Sequence, residues 1–263
     1  MTHVQPTDRL RLRQIALVAE ELASVEEELT AVLGIEVCYR DPGVGTFGLE
    51  NALFPVGNQL LEVVAPVEDK TAGGRYLDRR GGNGGYMVIT QCDNHAPYRA
   101  RVEELGIRIV NQFDSGSYRN MQLHPRDTGG SFFEIDEMYG TPDARDPDGP
   151  WAPAGSDWKR HRRLDRVSGI RAAELQCDDP GAVAARWSEI AGIAVEMREG
   201  APVLPLDNAD LRFVPCRDGR PEGLGGLDLV TTDRAAILAA AEPRGAVTGP
   251  DQVMLCGMRL NLT

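Results

Sequence analysis

The chain has 263 residues, of which 42% are hydrophobic and 26% charged, so it is long enough for one large core or two smaller ones. Its 28 Lys and Arg against 40 Asp and Glu give a formal net charge of −12, and such an acidic balance disfavours nucleic acid as a partner. No run approaches the roughly 20 apolar residues of a membrane span, and no secretory signal opens the chain. We therefore expect a cytoplasmic protein without a membrane partner.

Cysteine and histidine usage limits the metal and disulfide chemistry. The five cysteines are an odd number, widely scattered, and form no C-x-x-C pair, which disfavours disulfide frameworks and zinc knuckles. Only four histidines occur in the whole chain. Any metal site must therefore rely mainly on other side chains.

The first unit of the chain predicts a strand, a helix and three more strands. Residues 11–19 form a strand-like run, and strand-like runs recur at 35–40, 45–54 and 58–65, separated by turn-forming residues. Between them, apolar residues recur at helical spacing. These residues are Leu22, Val25, Leu29, Val32 and Leu33.

The same order then repeats. A strand up to Cys92, a helix to about Leu105 and strands near Ile107, at 118–124 and at 131–136 form the second unit. A Gly-Ile phrase follows a helix-like run at Gly34, Gly106 and Gly192, and a weaker copy stands at Gly245. The sequence therefore predicts four similar units.

These units divide the chain into two domains. Residues 141–156 are rich in Pro, Asp, Gly and Ala, which is typical of a linker. We predict an N-terminal domain at 9–140, a linker at 141–166 and a C-terminal domain at 167–263.

Polar residues stand among apolar alternates in the predicted strands of the N-terminal domain. Because alternate strand residues share a face, Gln14 lies with Leu12 and Ala16, and Glu62 lies within an apolar run. Glu50 and Glu134 occupy similar strands. A buried carboxylate needs a partner, a proton or a metal ion. Each residue alone is also compatible with a solvent-facing strand position, but Gln14, Glu62 and Glu134 stand at equivalent places.

Paired βαβββ units with polar residues on their first and last strands resemble the vicinal oxygen chelate superfamily, which includes glyoxalase I, extradiol dioxygenases and bleomycin-resistance proteins. Residues 48–69 (GLENALFPVGNQLLEVVAPVED), 84–94 (GGYMVITQCDN) and 123–136 (LHPRDTGGSFFEID) are most similar to methylmalonyl-CoA epimerases. The similarity spans residues 11–138. It implies an α+β fold in which four βαβββ units form two domains with cup-shaped mixed sheets.

The resemblance also implies a metal position. In the superfamily, four strand side chains hold one divalent ion (Mg, Mn, Co, Ni or Zn), and the matching residues here are Gln14, Glu62, Met87 and Glu134. A thioether is a poor ligand for these ions, so Met87 predicts a weakened or lost site. The chain also lacks the two histidines and one carboxylate that an extradiol dioxygenase needs.

By the same resemblance, Glu50 and Glu134 are the expected acid and base of an isomerase, epimerase or lyase that moves a proton next to a carbonyl of a small acid, thioester or ketone. The expected pocket residues are Tyr86, Met87, Arg119 and Phe132, with Tyr86 pointing to the face opposite Met87. The alternative is a metal-free protein that sequesters a small molecule. Either would act as a monomer or a homodimer.

The C-terminal domain is expected to be chemically inert. Its residues at the four ligand positions are Ala172, Arg212, Leu227 and Arg259, which supply neither a metal ligand nor a carboxylate.

Overall fold

The structure, a computed structural model, describes residues 9–263 and contains two mixed sheets. The N-terminal sheet has seven strands in the order β2-β3-β1-β4-β7-β6-β5. They are β1 (Leu10–Val18), β2 (Leu49–Val56), β3 (Gln59–Pro66), β4 (Gly84–Cys92), β5 (Ile109–Ser115), β6 (Tyr118–Leu123) and β7 (Phe132–Met138). The helices between them are α1 (Leu22–Leu33), α2 (Ala72–Arg80), α3 (His95–Glu104) and α4 (Pro125–Thr128).

The C-terminal sheet has eight strands in the order β13-β14-β15-β12-β8-β11-β10-β9. They are β8 (Val167–Cys177), β9 (Glu196–Arg198), β10 (Ala201–Pro205), β11 (Asp210–Pro215), β12 (Gly223–Thr231), β13 (Val247–Gly249), β14 (Gln252–Leu255) and β15 (Met258–Leu262). Its helices are α5 (Pro180–Ala191) and α6 (Arg234–Ala241).

Each sheet joins two units through their first strands. β1 pairs antiparallel with β4, and β8 pairs antiparallel with β12. The last strand of a unit lies parallel to its first strand, as β3 does beside β1 and β7 beside β4. This arrangement confirms the predicted α+β class and the pairing of repeated units.

The helix-covered faces of the two sheets share one hydrophobic core. The five apolar residues that predicted α1 are all buried in it, and α1 ends at Gly34, whose φ of +68° is accessible to glycine. Phe133 of β7 stacks on Trp187 of α5 with ring centroids 4.2 Å apart. The opposite face of the N-terminal sheet is left to build a separate site.

Two amide side chains join the domains in a reciprocal way. Asn208, in the turn between β10 and β11, accepts from the backbone N–H of Leu12 and donates to its carbonyl. Gln59, at the start of β3, makes the same pair of bonds with Ile170 of β8. In each domain, one side-chain amide therefore satisfies the backbone N–H and carbonyl of a residue in the first strand of the other domain, as expected for an internal pseudo-dimer.

Some predicted elements differ from the structure. Residues 35–40 are not a strand, because only Tyr39 bridges to β2, at Leu53. Residues 42–47 form a 3₁₀ turn. Helix α2 was not predicted: Thr71 caps its start by accepting the Gly74 N–H at 2.9 Å, and Gly81 ends it at φ +76°.

Within residues 9–263, every helix is too short or too polar to cross a lipid bilayer.

Candidate active site

The face of the N-terminal sheet opposite the helices carries a cluster of polar residues, and we call this face the N-terminal cup. Gln14 of β1, Asn51 of β2, Glu62 of β3, and Glu134 and Asp136 of β7 contribute to it, and all five are buried. A bulge in the β1–β4 pairing separates Leu12 from Gln14. Leu12 therefore packs on the helix-covered core, and not beside Gln14 as predicted.

Glu62 is held by two amides. Gln14 Nε2 donates to Glu62 Oε2 at 2.8 Å, and Asn51 Nδ2 donates to Oε1 at 2.6 Å. Burial raises the pKa of the Glu62 carboxyl above its ordinary value, although both amides oppose the shift. Glu62 therefore favours its protonated form more than an exposed glutamate does.

Glu134 and Asp136 form a coupled carboxyl pair, because residues two apart on β7 share a face. Asn120 Nδ2 donates to Glu134 Oε1 at 2.6 Å and to Asp136 Oδ1 at 3.3 Å. Asp136 also accepts from the Tyr118 hydroxyl and from the Met121 N–H. Burial raises the pKa of both carboxyls, and the bond between them raises that of Glu134 further while opposing the shift of Asp136. The pair therefore holds a proton more readily than exposed carboxyls do.

Glu62 and Glu134 interact electrostatically across the cup, since the Glu62 charge contributes to the raised pKa of Glu134. An arrangement of this kind holds protons in an apolar site and is suited to general acid–base chemistry.

Three of the predicted pocket residues come together. Tyr86, Met87 and Phe132 pack in one cluster with Tyr76 of α2, and the Tyr86 and Phe132 rings lie 5.0 Å apart. The sequence predicted that Tyr86 points away from Met87. That prediction is wrong, because Ala16 pairs with Met87 and Leu17 with Gly85, which leaves Tyr86 as the extra residue of a bulge.

Glu50 and Arg119 lie elsewhere. Glu50 is the exposed residue of β2 and shares its face with Ala52 and Phe54, which pack in the helix-covered core. It therefore does not face Glu134 across the cup. Arg119 pairs with Asp114 at 2.8 Å and Glu137 at 3.0 Å. It lines an outer cleft of about 540 Å³ with His95, Arg99, Phe113 and Asn120.

The linker covers the N-terminal cup. Trp151 and Trp158 are each only 1% exposed and pack with Ala16, Leu53 and Ile89. Trp151 Nε1 donates to Gln14 Oε1 at 2.7 Å, which orients the Gln14 amide to donate to Glu62. The linker is thus part of the site.

The ligand set does not fit a divalent metal ion. Gln14 Oε1 accepts from Trp151, both Glu62 oxygens accept from amides, and the Met87 thioether accepts from Gln122 at 3.2 Å. A hard cation would have to displace these donors and gain a sulfur ligand in exchange. Nowhere in the described part of the chain do three or more His, Cys, Asp or Glu side chains group as metal ligands.

The corresponding face of the C-terminal sheet, the C-terminal cup, corrects another prediction. It contains two buried carboxylates, Glu174 and Asp228. Arg259 Nη2 lies 2.7 Å from Glu174, and Arg212 contacts Asp228 with both terminal nitrogens. Glu174 pairs with Arg212 on one side and with Gly226 on the other. In the N-terminal sheet the residue at this position is Ala16, which pairs with Glu62 and Met87. The sequence comparison missed Glu174 because the corresponding residue, Ala16, is not one of the four ligand positions.

Sequence reasoning also missed several residues of the N-terminal cup. Asp136 is one of them, although strand alternation places it two residues from Glu134 on the same face. Asn51 was hidden beside Glu50, because the two differ by one position and hence by one face. Asn120 gave no signal, since a strand amide does not specify where it packs. The linker tryptophans indicate packing on a domain surface, but the sequence does not specify that Trp151 covers the cup.

Comparisons with known proteins support the fold. No protein-family model matches the chain, and no curated protein matches it. Among solved structures, a hypothetical protein from Staphylococcus aureus is similar over 97% of this chain and 99% of its own, with a TM-score of 0.66 and 11% identity.

Shorter structures match about half of the chain. Methylmalonyl-CoA epimerase from Streptomyces coelicolor, in complex with 2-nitronate-propionyl-CoA, is 19% identical over 49% of this chain and 98% of its own, with a TM-score of 0.44. The Mycobacterium tuberculosis epimerase is 20% identical over 53% of this chain and 94% of its own, also at 0.44. The whole-chain similarity to the Staphylococcus aureus protein supports the two-sheet architecture.

Proposed function

We propose that this chain, which has the fold of the vicinal oxygen chelate superfamily, moves a proton at a carbon next to a carbonyl, as an isomerase or epimerase that needs no metal ion. The observation that carries the proposal is the pair of buried carboxyls, Glu62 and Glu134, whose pKa values are both raised on one face of the sheet. Glu62 takes the role that the sequence gave to Glu50.

The proposed step uses one carboxyl as base and the other as acid. The ionised form of one removes the proton from carbon, and the C–H electron pair moves toward the carbonyl to give an enolate. The other carboxyl then returns a proton to the same carbon. Tyr86 is our candidate donor to the enolate oxygen, because burial raises its pKa and keeps its hydroxyl protonated.

Hydrogen exchange with solvent tests this proposal. Small 2-oxo acids, acyl thioesters and ketones are incubated with the protein in deuterium oxide, and deuterium at the carbon next to the carbonyl is followed by NMR. Glu134→Gln and Glu62→Gln should each lower the exchange rate by about 10²- to 10⁴-fold. Glu50→Gln is the matched control and should exchange at the wild-type rate. Exchange that survives Glu134→Gln contradicts the proposal.

A second candidate is metal-free sequestration of a small molecule. The tryptophan-covered cup and the Met87 thioether favour it, since both add apolar wall and no reactive group. Binding of a panel compound without any deuterium exchange supports this alternative.

A further inference from the structure

We propose that the N-terminal cup binds a planar aromatic molecule with an N–H or O–H donor, and that the Trp151 indole is an internal occupant which this ligand displaces. The inference deepens the proposed function, because it names the class of molecule that the same cup takes. It starts from the way in which the linker occupies the site.

Trp151 has the contacts of a bound ligand. Its single polar atom donates to Gln14 Oε1 at 2.7 Å, and the Tyr118 ring meets it edge-on at 5.5 Å with an interplanar angle of 85°. The apolar wall consists of Ala16, Leu53 and other members of the same cluster. One directional acceptor in an apolar, aromatic-lined wall is the usual composition of a small-molecule site.

The segment that carries Trp151 is held without a regular sheet or long helix. Within 141–166, helical turns occur only at Ala152–Ala154 and Trp158–His161. Arginines of β1 hold the segment through its backbone carbonyls: Arg13 donates to Pro147 and Gly149, and Arg11 donates to Arg145 and Asp146. Opening this segment would therefore break no strand pairing and no long helix.

The closed arrangement also leaves one buried charge poorly compensated. Arg13 is 1% exposed, its hydrogen-bond acceptors are backbone carbonyls, and its Nε is buried without a partner. It lies 5.4 Å from the Trp151 ring centroid and 5.2 Å from that of Trp158. Desolvation lowers the Arg13 pKa to about 9. Opening the linker would hydrate this guanidinium, which offsets part of the cost of removing Trp151 from the cup.

An internal occupant competes with an added ligand, so a substitution that weakens the occupant should increase the affinity for the ligand. The apparent affinity for the ligand falls by the fraction of molecules in which Trp151 has left the cup. Trp151→Phe keeps an aromatic ring but removes the hydrogen bond to Gln14. It should therefore weaken the occupant and tighten ligand binding, whereas a tryptophan that merely builds the core gives no gain.

The experiment measures binding of 5-fluoroindole to the full chain by fluorine NMR. Trp151→Phe should bind this probe about fivefold more tightly than wild type, the effect of one hydrogen bond. Trp187→Phe is the matched control, because Trp187 lies in the helix-covered core and its indole also loses one hydrogen bond, to the Thr128 carbonyl. It should bind the probe within about twofold of wild type. The N-methylated probe, which lacks the donor, should bind Trp151→Phe about fivefold more weakly than 5-fluoroindole does.

Limited trypsin digestion of wild-type protein gives an answer that needs no variant. Cleavage after Arg145, Lys159 or Arg160 should become faster at saturating 5-fluoroindole, because the probe displaces the segment. Unchanged or slower cleavage, or binding to Trp151→Phe no tighter than to wild type, overturns the inference. Neither readout involves deuterium exchange, so a failure here is distinct from a failure of the proton-transfer proposal.

Discussion

The two cups are built from corresponding strands but handle buried carboxyl groups in opposite ways. In the N-terminal cup, Glu62 is held by amides and Glu134 bonds to a second carboxyl. In the C-terminal cup, Glu174 lies against Arg259 and Arg212, and Asp228 lies against Arg212. The amides are neutral partners, whereas the guanidinium groups make charge-assisted hydrogen bonds to the carboxylates.

This difference teaches which part of a repeated fold is free to do chemistry. An ion pair that is desolvated and fully hydrogen-bonded holds its geometry but offers no transferable proton. A buried carboxyl with neutral partners is costly when ionised, and that cost raises its pKa toward the range useful for acid–base work. The domain that carries the proposed activity is therefore the one whose cup carboxyls bond to amides and to each other, and not to arginines.

The largest expected effect comes from breaking the C-terminal network. Arg259→Met leaves Glu174, which is 5% exposed, without its nearest cation. We expect the free energy of unfolding to fall by about 3 to 5 kcal/mol, measured by urea denaturation. Adding Glu174→Gln to the same variant should recover much of the loss, because the unpaired charge is gone. A loss below about 1 kcal/mol contradicts a buried ion pair here.

A second effect is the pH dependence of the N-terminal cup. Burial raises the pKa of Asp136 to about 7, against about 3.9 in an unfolded chain. The folded protein thus holds a proton that the unfolded chain releases. Its contribution to stability is complete below about pH 4 and is lost as the pH rises through about 7.

Asp136→Asn should remove this contribution. The decrease in unfolding free energy between about pH 4 and about pH 8 should be smaller than in wild type by roughly 2 to 4 kcal/mol. Glu50→Gln, an exposed change on the opposite face, serves as the control. Equal pH dependence in Asp136→Asn and wild type is the result that rejects a protonated pair.

The smallest effect comes from neutralising one carboxyl in each cup. Glu62→Gln should cost about 1 kcal/mol near neutral pH, because the new side chain keeps one of the two acceptor oxygens and only one neutral amide donor loses its partner. Glu174→Gln should cost more, about 2 kcal/mol, because it removes the anion nearest to Arg259 and leaves Arg212 with Asp228 alone. Paired urea titrations measure the difference, and equal costs for the two variants count against the contrast between the cups.

Much of this fold follows from periodicity in the sequence, whereas the site depends on details that periodicity does not report. The helical spacing from Leu22 to Leu33 and the repeated Gly-Ile phrases predict the units correctly. Side-chain directions near bulges are different. Tyr86 is an extra residue in β4, and the pairing shifts between Leu12 and Gln14 in β1. At both places, simple alternation assigns side chains to the wrong face of the sheet.

The remaining gaps have physical causes as well. Glu50 and Asn51 are adjacent, and only the strand register decides which of them enters the cup. The linker composition indicates a connection between domains, and its two tryptophans give it enough apolar surface to pack, but composition does not specify which face of the sheet they cover. Glu174 was overlooked because it stands two residues after Ala172, the position compared with Gln14. Residues two apart on a strand share a face, so Glu174 still enters the cup.

The most direct test of the central claim is a carbon-13 NMR titration of side-chain carboxyl groups, with Glu134→Gln used to assign the Glu134 resonance. The account predicts that Glu134 begins to ionise at a distinctly higher pH than the exposed glutamates, and that Asp136→Asn changes its titration because the two groups share a proton. A Glu134 carboxyl that ionises together with the surface glutamates would contradict the account.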